Sequence, residues 1–450
     1  MYHLIIKPPW QNTDRVIFVL GKYNFAWIRK KRSSNWDDRH ERELALKILC
    51  RIREHPGVGL ILLAYIAFIA LGMPDGLLGV AWPSIRAGFL IPLDAMGALL
   101  VASTSGYLTS SFLSGPLITR MGVGRVLIVS CIMTGSALIG YTLVPAWWMM
   151  VLLGTAAGLG AGAIDAGLNT YIASHFGEGL MQWLHASYGI GVTLGPIIMT
   201  LSLTNLNSWR VGYSVVGGFQ FALAACFILT LSMWNRTSEM TESKKTKRLT
   251  DYKTPMRETL RQFLVWRSAL LFFLYTGAEV SLGVWTYTLL TEARGVPPSA
   301  AGLWAGSYWA TFTIGRILAG LYARRVGVNS LVLGSLIGAI LGTALLWWNP
   351  LGAVNLIAVA LIGFSIAPIF PGLVSGTSQR VGEHDAANAI GMQMAAAGLG
   401  GAIIPSLLGT LANQISLEVI PIALLALFVI LFGLQMKNIR PAIPPHGTRM

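Results

Sequence analysis

The chain has 450 residues, 54% of them hydrophobic and only 12% charged, about half the charged share of an ordinary soluble domain, which excludes a soluble globular fold. Its net charge of +14 would suit a nucleic-acid partner only if the basic residues formed a patch, and they are instead sorted by side along a series of apolar segments. Three cysteines imply no disulfide framework, because Cys131 and Cys226 fall inside apolar runs and Cys50 lies among basic residues.

Residues 1–57 form a basic extension with no apolar stretch followed by a small-residue cleavage site, so they do not read as a secretory signal. They carry no functional motif, and a translation start nearer the first apolar run is an equally good reading of this stretch. Apolar runs long enough to cross a hydrocarbon core of about 30 Å then recur almost to the C-terminus. They occupy 59–83, 94–117, 123–143, 147–172, 182–203 and 211–234, then 266–290, 300–321, 328–347, 354–375, 388–412 and 416–436. Backbone in hydrocarbon must satisfy its own hydrogen bonds, and these continuous runs lack the alternation of barrel strands, so all twelve are predicted helices.

Threading the chain with both termini in the cytoplasm puts 29 of the 33 Lys and Arg on the cytoplasmic side. Arg86, Arg210 and Arg294 fall outside, and Arg316 sits in the cytoplasmic half of its helix. This positive-inside sorting sets the expected orientation and a multi-pass location in the plasma (inner) membrane. The basic stretch 235–265, with SKKTKRLTDYK from Ser243, divides six helices (58–234) from six (266–436), and 437–450 is a short tail.

The two halves align at an offset of 205 residues. GPLITRMGVGRVLIVS from Gly115 pairs with GLYARRVGVNSLVLGS from Gly320, matching Gly115 to Gly320, Arg120 to Arg325 and Gly122 to Gly327, with Gly72 meeting Gly277 and Gly97 meeting Gly302 at the same offset. The expected fold is therefore all-α: twelve transmembrane helices in two pseudo-symmetric six-helix bundles, with a solute site near the midplane between them.

Three acids lie within predicted helices: Asp75 in LGMPDGLLG, Asp165 in GAIDAGLNTY and Glu279 in YTGAEVSLG. An ionised side chain at a helix centre costs about 2.5 to 3.5 kcal/mol on insertion scales. Each therefore needs a partner, a water-filled cavity or a proton. No Lys or Arg occurs in the first or fourth run, and the seventh holds only Arg267 at its cytoplasmic end, although Arg316 could reach across from the eighth. Asn169 follows Asp165 by four residues and shares its helix face. The plainer alternatives are that Asp165 bridges to a neighbouring helix as polar glue, and that Pro74 breaks its helix so that Asp75 caps the restart. His185, with Gln182 nearby, is a second titrating candidate or a histidine satisfied by a neighbouring helix. Trp285 and Tyr308 are candidates for stacking on a solute, against the usual fate of membrane aromatics as core or belt residues.

The stretch from Gly115 to Arg125 resembles the signature between the second and third helices of the major facilitator superfamily, with Thr119 where that family usually has Asp. GAIDAGLNTY, LGMPDGLLG and MQWLHASYGIGVTLGP from Met181 resemble its fucose–proton symporter branch. The resemblance implies proton exchange at Asp165, coupling to sugar at Asp75, sugar contacts at Asn169 and Gln393, and a gating loop built on Gly115, Arg120, Gly122 and Arg125. It also implies a monomer in the lipid bilayer with a small-molecule solute as partner, no cofactor beyond a coupling proton, no metal and no enzymatic chemistry. No GxxxxGKS/T loop is present, which argues against an ATP-driven pump. Export of a drug or metabolite against protons, and a membrane sensor that binds without transport, are the alternatives.

Overall fold

The computed structural model describes residues 16–21, 24–29, 56–175, 178–238, 255–349 and 352–439. A separate unit at the N-terminus contains an antiparallel hairpin, with strands Val16–Gly21 and Asn24–Arg29 registered Val16 to Arg29 and Gly21 to Asn24. It lies in the basic extension, where no such element is expected from the sequence.

Among the described residues the second unit holds twelve long helices: α1 Pro56–Phe89, α2 Met96–Met121, α3 Val123–Leu143, α4 Trp147–His175, α5 Glu178–Leu206, α6 Trp209–Leu229, α7 Phe263–Thr288, α8 Pro298–Val326, α9 Val328–Trp348, α10 Val354–Ile366 continued by Ile369–Ser375, α11 Glu383–Gln414 and α12 Val419–Ile439. Ten are long and apolar enough by themselves to cross a membrane. The other two, α2 and α8, are diluted by Ser, Thr, Tyr and Gly, and α8 by Arg316. These two pack against the opposite half, α2 on α11 and α8 on α5. A helix that faces protein and cavity rather than lipid on much of its surface can carry that polarity.

The internal repeat is visible in the packing. A Cβ at Gly158 of α4 would run into the carbonyl oxygen of Ser103 in α2, and one at Gly363 of α10 would run into the carbonyl oxygen of Tyr308 in α8, each 205 residues on. Close backbone approach is what small residues permit where no hydrophobic force drives helices together in lipid. Across the two halves the pattern exchanges partners, with Gly97 of α2 against Ser406 of α11 and Gly302 of α8 against Thr200 of α5. The gating-loop glycines repeat too. Gly122 (φ 79°, ψ 153°) and Gly327 (φ 81°, ψ 142°) each separate two helices in a conformation open to almost nothing but glycine.

The halves are joined at the ends of the helices that carry the loop after α1. Gly79 of α1 lies against the backbone of Gly283 in α7, and Arg86 Nη2 meets Glu292 Oε2 at 2.5 Å. Glu292 stands in a π-helical turn, Leu289–Ala293, that extends α7. At the same end Arg294 holds Glu418 through two parallel bonds, Nε to Oε1 at 2.8 Å and Nη2 to Oε2 at 2.7 Å, and also donates to Asn355.

One of the plainer alternatives is ruled out. Helix α1 runs unbroken through Pro74, so Asp75 caps no restart. Gly72 and Gly76 press against the backbone of α5 on either side of that turn, and this packing supports the helix where Pro74 removes one of its hydrogen bonds.

Candidate functional site

Asp75 sits in the middle of a 34-residue helix, yet its side chain is exposed. Deep within a bundle that combination means a cavity wide enough for water. Tyr188 of α5 donates its hydroxyl to Asp75 Oδ2 at 2.6 Å. Helices α1 and α5 are brought together at this level because Gly72 lies on the backbone of Tyr188 and Val192, and Gly191 on that of Ile69.

Asp165 lies on α4, half-buried, and accepts two hydrogen bonds. Tyr107 of α2 donates to Oδ2 at 2.5 Å, and Asn169 Nδ2 donates to Oδ1 at 2.8 Å. The expected i, i+4 pairing of Asp165 with Asn169 is therefore present. Gly162, one turn earlier, lies against the carbonyl of Tyr107, so the Gly-rich run in α4 lets α2 come close enough for its tyrosine to reach the acid. The two aspartates act on each other electrostatically, and Tyr107 feels both. Among the described residues no cation is paired with either.

Glu279 completes the acidic set from α7. Its charge reaches Tyr188 across the interface, and Tyr275 and Arg316 act on its carboxyl. Tyr308 donates to the Glu279 carbonyl at 2.8 Å, and Tyr275 to the Ile366 carbonyl at 3.0 Å. The three acids expected from the sequence thus lie on α1, α4 and α7, with Asp75 bonded by Tyr188 of α5 and Asp165 by Tyr107 of α2. Tyr107 and Tyr188 were not picked out, because a tyrosine in an apolar helix looks like any core or belt aromatic until its hydroxyl is seen to point at a carboxylate.

The remaining candidates separate. His185 of α5 is exposed one turn before Gly189, with Phe68 edge-on at 5.8 Å. Gln393 is fully buried, its amide donating to Ser268 Oγ at 2.7 Å and accepting from Thr377 at 3.0 Å, so it does not face the cavity in this conformation. Trp285 is fully buried at the closed end, its indole donating to the Pro405 carbonyl at 3.0 Å, and Tyr308 is fully buried beside Trp309. Among the gating residues, Arg120 and Arg125 are exposed, nothing lies within 4 Å of a Cβ at Gly115, and Thr119 bonds its own helix at the Gly115 carbonyl. The side chains of Gln182 and Arg325, and the surroundings of Gly320, lie outside the described residues.

Comparison with known proteins fixes the family. The chain matches the Major Facilitator Superfamily over residues 64–405 and 268–444. It belongs to that superfamily. It is 24% identical to Bypass of stop codon protein 6 of Saccharomyces cerevisiae, covering 83% of this chain and 82% of that protein. It is 25% identical to the human Sodium-dependent glucose transporter 1, covering 77% and 72%, and 23% identical to the Glucose/mannose transporter GlcP of Bacillus subtilis, covering 84% and 94%. Its fold is that of the nucleoside transporter NupG (TM-score 0.70, 14% identity, covering 84% of this chain and 99% of that one). It is equally similar to a bacterial homolog of the human lysosomal transporter Spinster, solved inward-facing and unoccupied (TM-score 0.71, 12% identity, covering 85% and 96%). This superfamily protein is a multi-pass membrane transporter of small solutes and not an enzyme.

Proposed function

We propose that this transporter takes up a small sugar by alternating access, driven by a proton that binds at Asp165 and is sensed at Asp75. The observation that carries the proposal is the pair of carboxyls within the helix bundle, half-buried Asp165 and exposed Asp75, each held by a tyrosine hydroxyl and, among the described residues, neither paired with a cation. Two acids that act on each other inside a membrane cannot both stay charged cheaply, and a proton is the smallest remedy. Two of the similar proteins named above are sugar carriers by name, which supports a polyhydroxylated solute.

With the positive-inside orientation, the joined ends at Arg86 and Glu292 face outward, so the cavity opens to the cytoplasm. In the proposed cycle, protonation from outside favours solute binding near Asp75 and Asn169, the halves rock, and both ligands leave inside. One proton moving through about 100 mV contributes about 2.3 kcal/mol, enough for roughly fifty-fold accumulation at one proton per sugar, since each 1.4 kcal/mol is a factor of ten.

Sodium is a second reading, favoured by the printed name of the human relative. The site leans toward a proton, because the groups bonded to Asp165 are donors, whereas a hard cation wants converging oxygen lone pairs. Uptake of radiolabelled monosaccharides into proteoliposomes, driven in turn by a pH gradient and by a sodium gradient at fixed voltage, separates the two. Accumulation is expected with the pH gradient alone, and accumulation only with sodium would replace the proton in this account.

A further inference from the structure

Three contacts fix how α5 of one half lies along α8 of the other. Gly189 meets Thr313, Pro196 meets Gly306 and Thr200 meets Gly302, so the two helices run antiparallel in constant register. Carried one turn further, that register sets Arg316 of α8 opposite Ala186 of α5. Tyr188, whose hydroxyl holds Asp75, stands two residues along α5, about 3 Å on the helix axis. Arg316 and the Asp75–Tyr188 pair thus occupy one level, on opposite sides of the seam between the halves.

The guanidinium at that level is fixed in place and unpaired. It covers the ring of buried Phe312 at 4.4 Å. Its Nε is buried with no hydrogen-bond partner, and the Nη end is the accessible part of a half-buried side chain. The ion pairs among the described residues do not include it, and Glu279, which feels its charge, lies beyond ion-pair distance. The internal repeat sharpens the contrast, because the places of Tyr107 and Asp165 are taken 205 residues on by Phe312 and Phe370. Where the N-terminal half presents an acid and its hydroxyl donor, the C-terminal half presents a guanidinium on a ring. An arginine within a membrane span calls for an anion, and its planar fork of donors suits a carboxylate gripped through two parallel bonds.

We propose that Arg316 is a contact of the solute and that the solute is an acidic sugar such as a hexuronate, an inference that rests on sugar uptake by this protein. The carboxylate of the sugar takes the guanidinium while its hydroxyls reach Tyr188 and Asp75 across the seam. One proton carried with one such anion moves no net charge, so its accumulation follows the pH gradient, whereas that of a neutral sugar also follows the voltage.

The test measures the thermal unfolding midpoint of the full chain in detergent, and uptake into proteoliposomes, for wild type, R316Q and R316K. Glucuronate, galacturonate, glucose and galactose are the probes. Wild type is expected to respond to a uronate at concentrations roughly tenfold below those of the matching neutral hexose. R316Q is expected to lose that preference, and R316K to keep part of it, since an ammonium retains the charge without the fork. Without solute, R316Q is expected to be about as stable as wild type, because the charge it removes has no partner in the protein. A midpoint lowered by several degrees would instead make Arg316 a structural counter-charge and overturn the assignment. Equal responses to uronate and hexose in wild type, or a preference that survives R316Q, overturn it as well and leave neutral-sugar uptake standing. If no sugar of either kind is bound or moved, sugar uptake itself fails and the acidic sugar with it; a wild-type response to succinate that R316Q abolishes would then keep only the anion contact.

Discussion

At the scale of single residues, Asp165 carries the account, and its partners say how it works. A hydrogen bond to a charged group is worth about 1.5 to 3 kcal/mol, so Tyr107→Phe and Tyr188→Phe should each cut sugar uptake roughly tenfold or more. Because the removed hydroxyls serve the carboxyls rather than the packing, thermal midpoints should change little. Initial uptake rates paired with midpoints in detergent check this, and a loss of stability matching the loss of uptake would make the tyrosines structural. The carboxyls were legible in the sequence because an acid in an apolar run has no inexpensive explanation, and Asn169 was legible from helical spacing. Gln393 came only through resemblance to a family, and its amide is spent on Ser268 and Thr377. Hydroxyl direction, which singles out Tyr107 and Tyr188, has no signature in sequence at all.

At the scale of elements, glycine sets how close helices come and where they stop. Gly158 and Gly363 occupy equivalent contacts in the two halves, so Gly158→Val and Gly363→Val should both destabilise by the 1 to 3 kcal/mol or more typical of overpacking. Measured midpoints that fall for one and not the other would contradict the equivalence. Gly122→Ala should cost about 1 to 3 kcal/mol, because the break between α2 and α3 uses a backbone conformation an alanine resists. The twelve helices could be read from apolar length, while their finer breaks could not. Helix α1 continues through Pro74, α10 is interrupted before Pro368 and Ile369, and α7 ends in a π turn. Each outcome depends on what a neighbouring helix presses against that point, which local sequence does not contain.

At the scale of the whole molecule, alternating access requires the joined ends to separate. Arg86 and Glu292 join α1 to α7 across the halves at one end, above the Gly79 and Gly283 contact. The pair is partly exposed, so its contribution is modest, about 1 kcal/mol or less. Arg86→Gln should therefore tilt the conformational balance by no more than several-fold. The measurable result is faster maleimide labelling of a cysteine placed at Ser299 near that end, and unchanged labelling would remove the pair from the gate. The duplication behind this architecture was readable from the 205-residue offset, whereas which ends of the helices meet was not, since both ends of each half carry similar small residues.

The central claim is that sugar and proton enter together through Asp165. Its most direct test is the external pH of a lightly buffered suspension of de-energised cells making the protein, recorded while monosaccharides are added one at a time. The account predicts alkalinisation with at least one sugar, abolished by Asp165→Asn at equal expression. No pH change with any sugar would contradict sugar–proton symport and direct attention to sodium coupling or to solute export, and a signal that persists in Asp165→Asn would contradict the role of Asp165 and move the proton to Asp75.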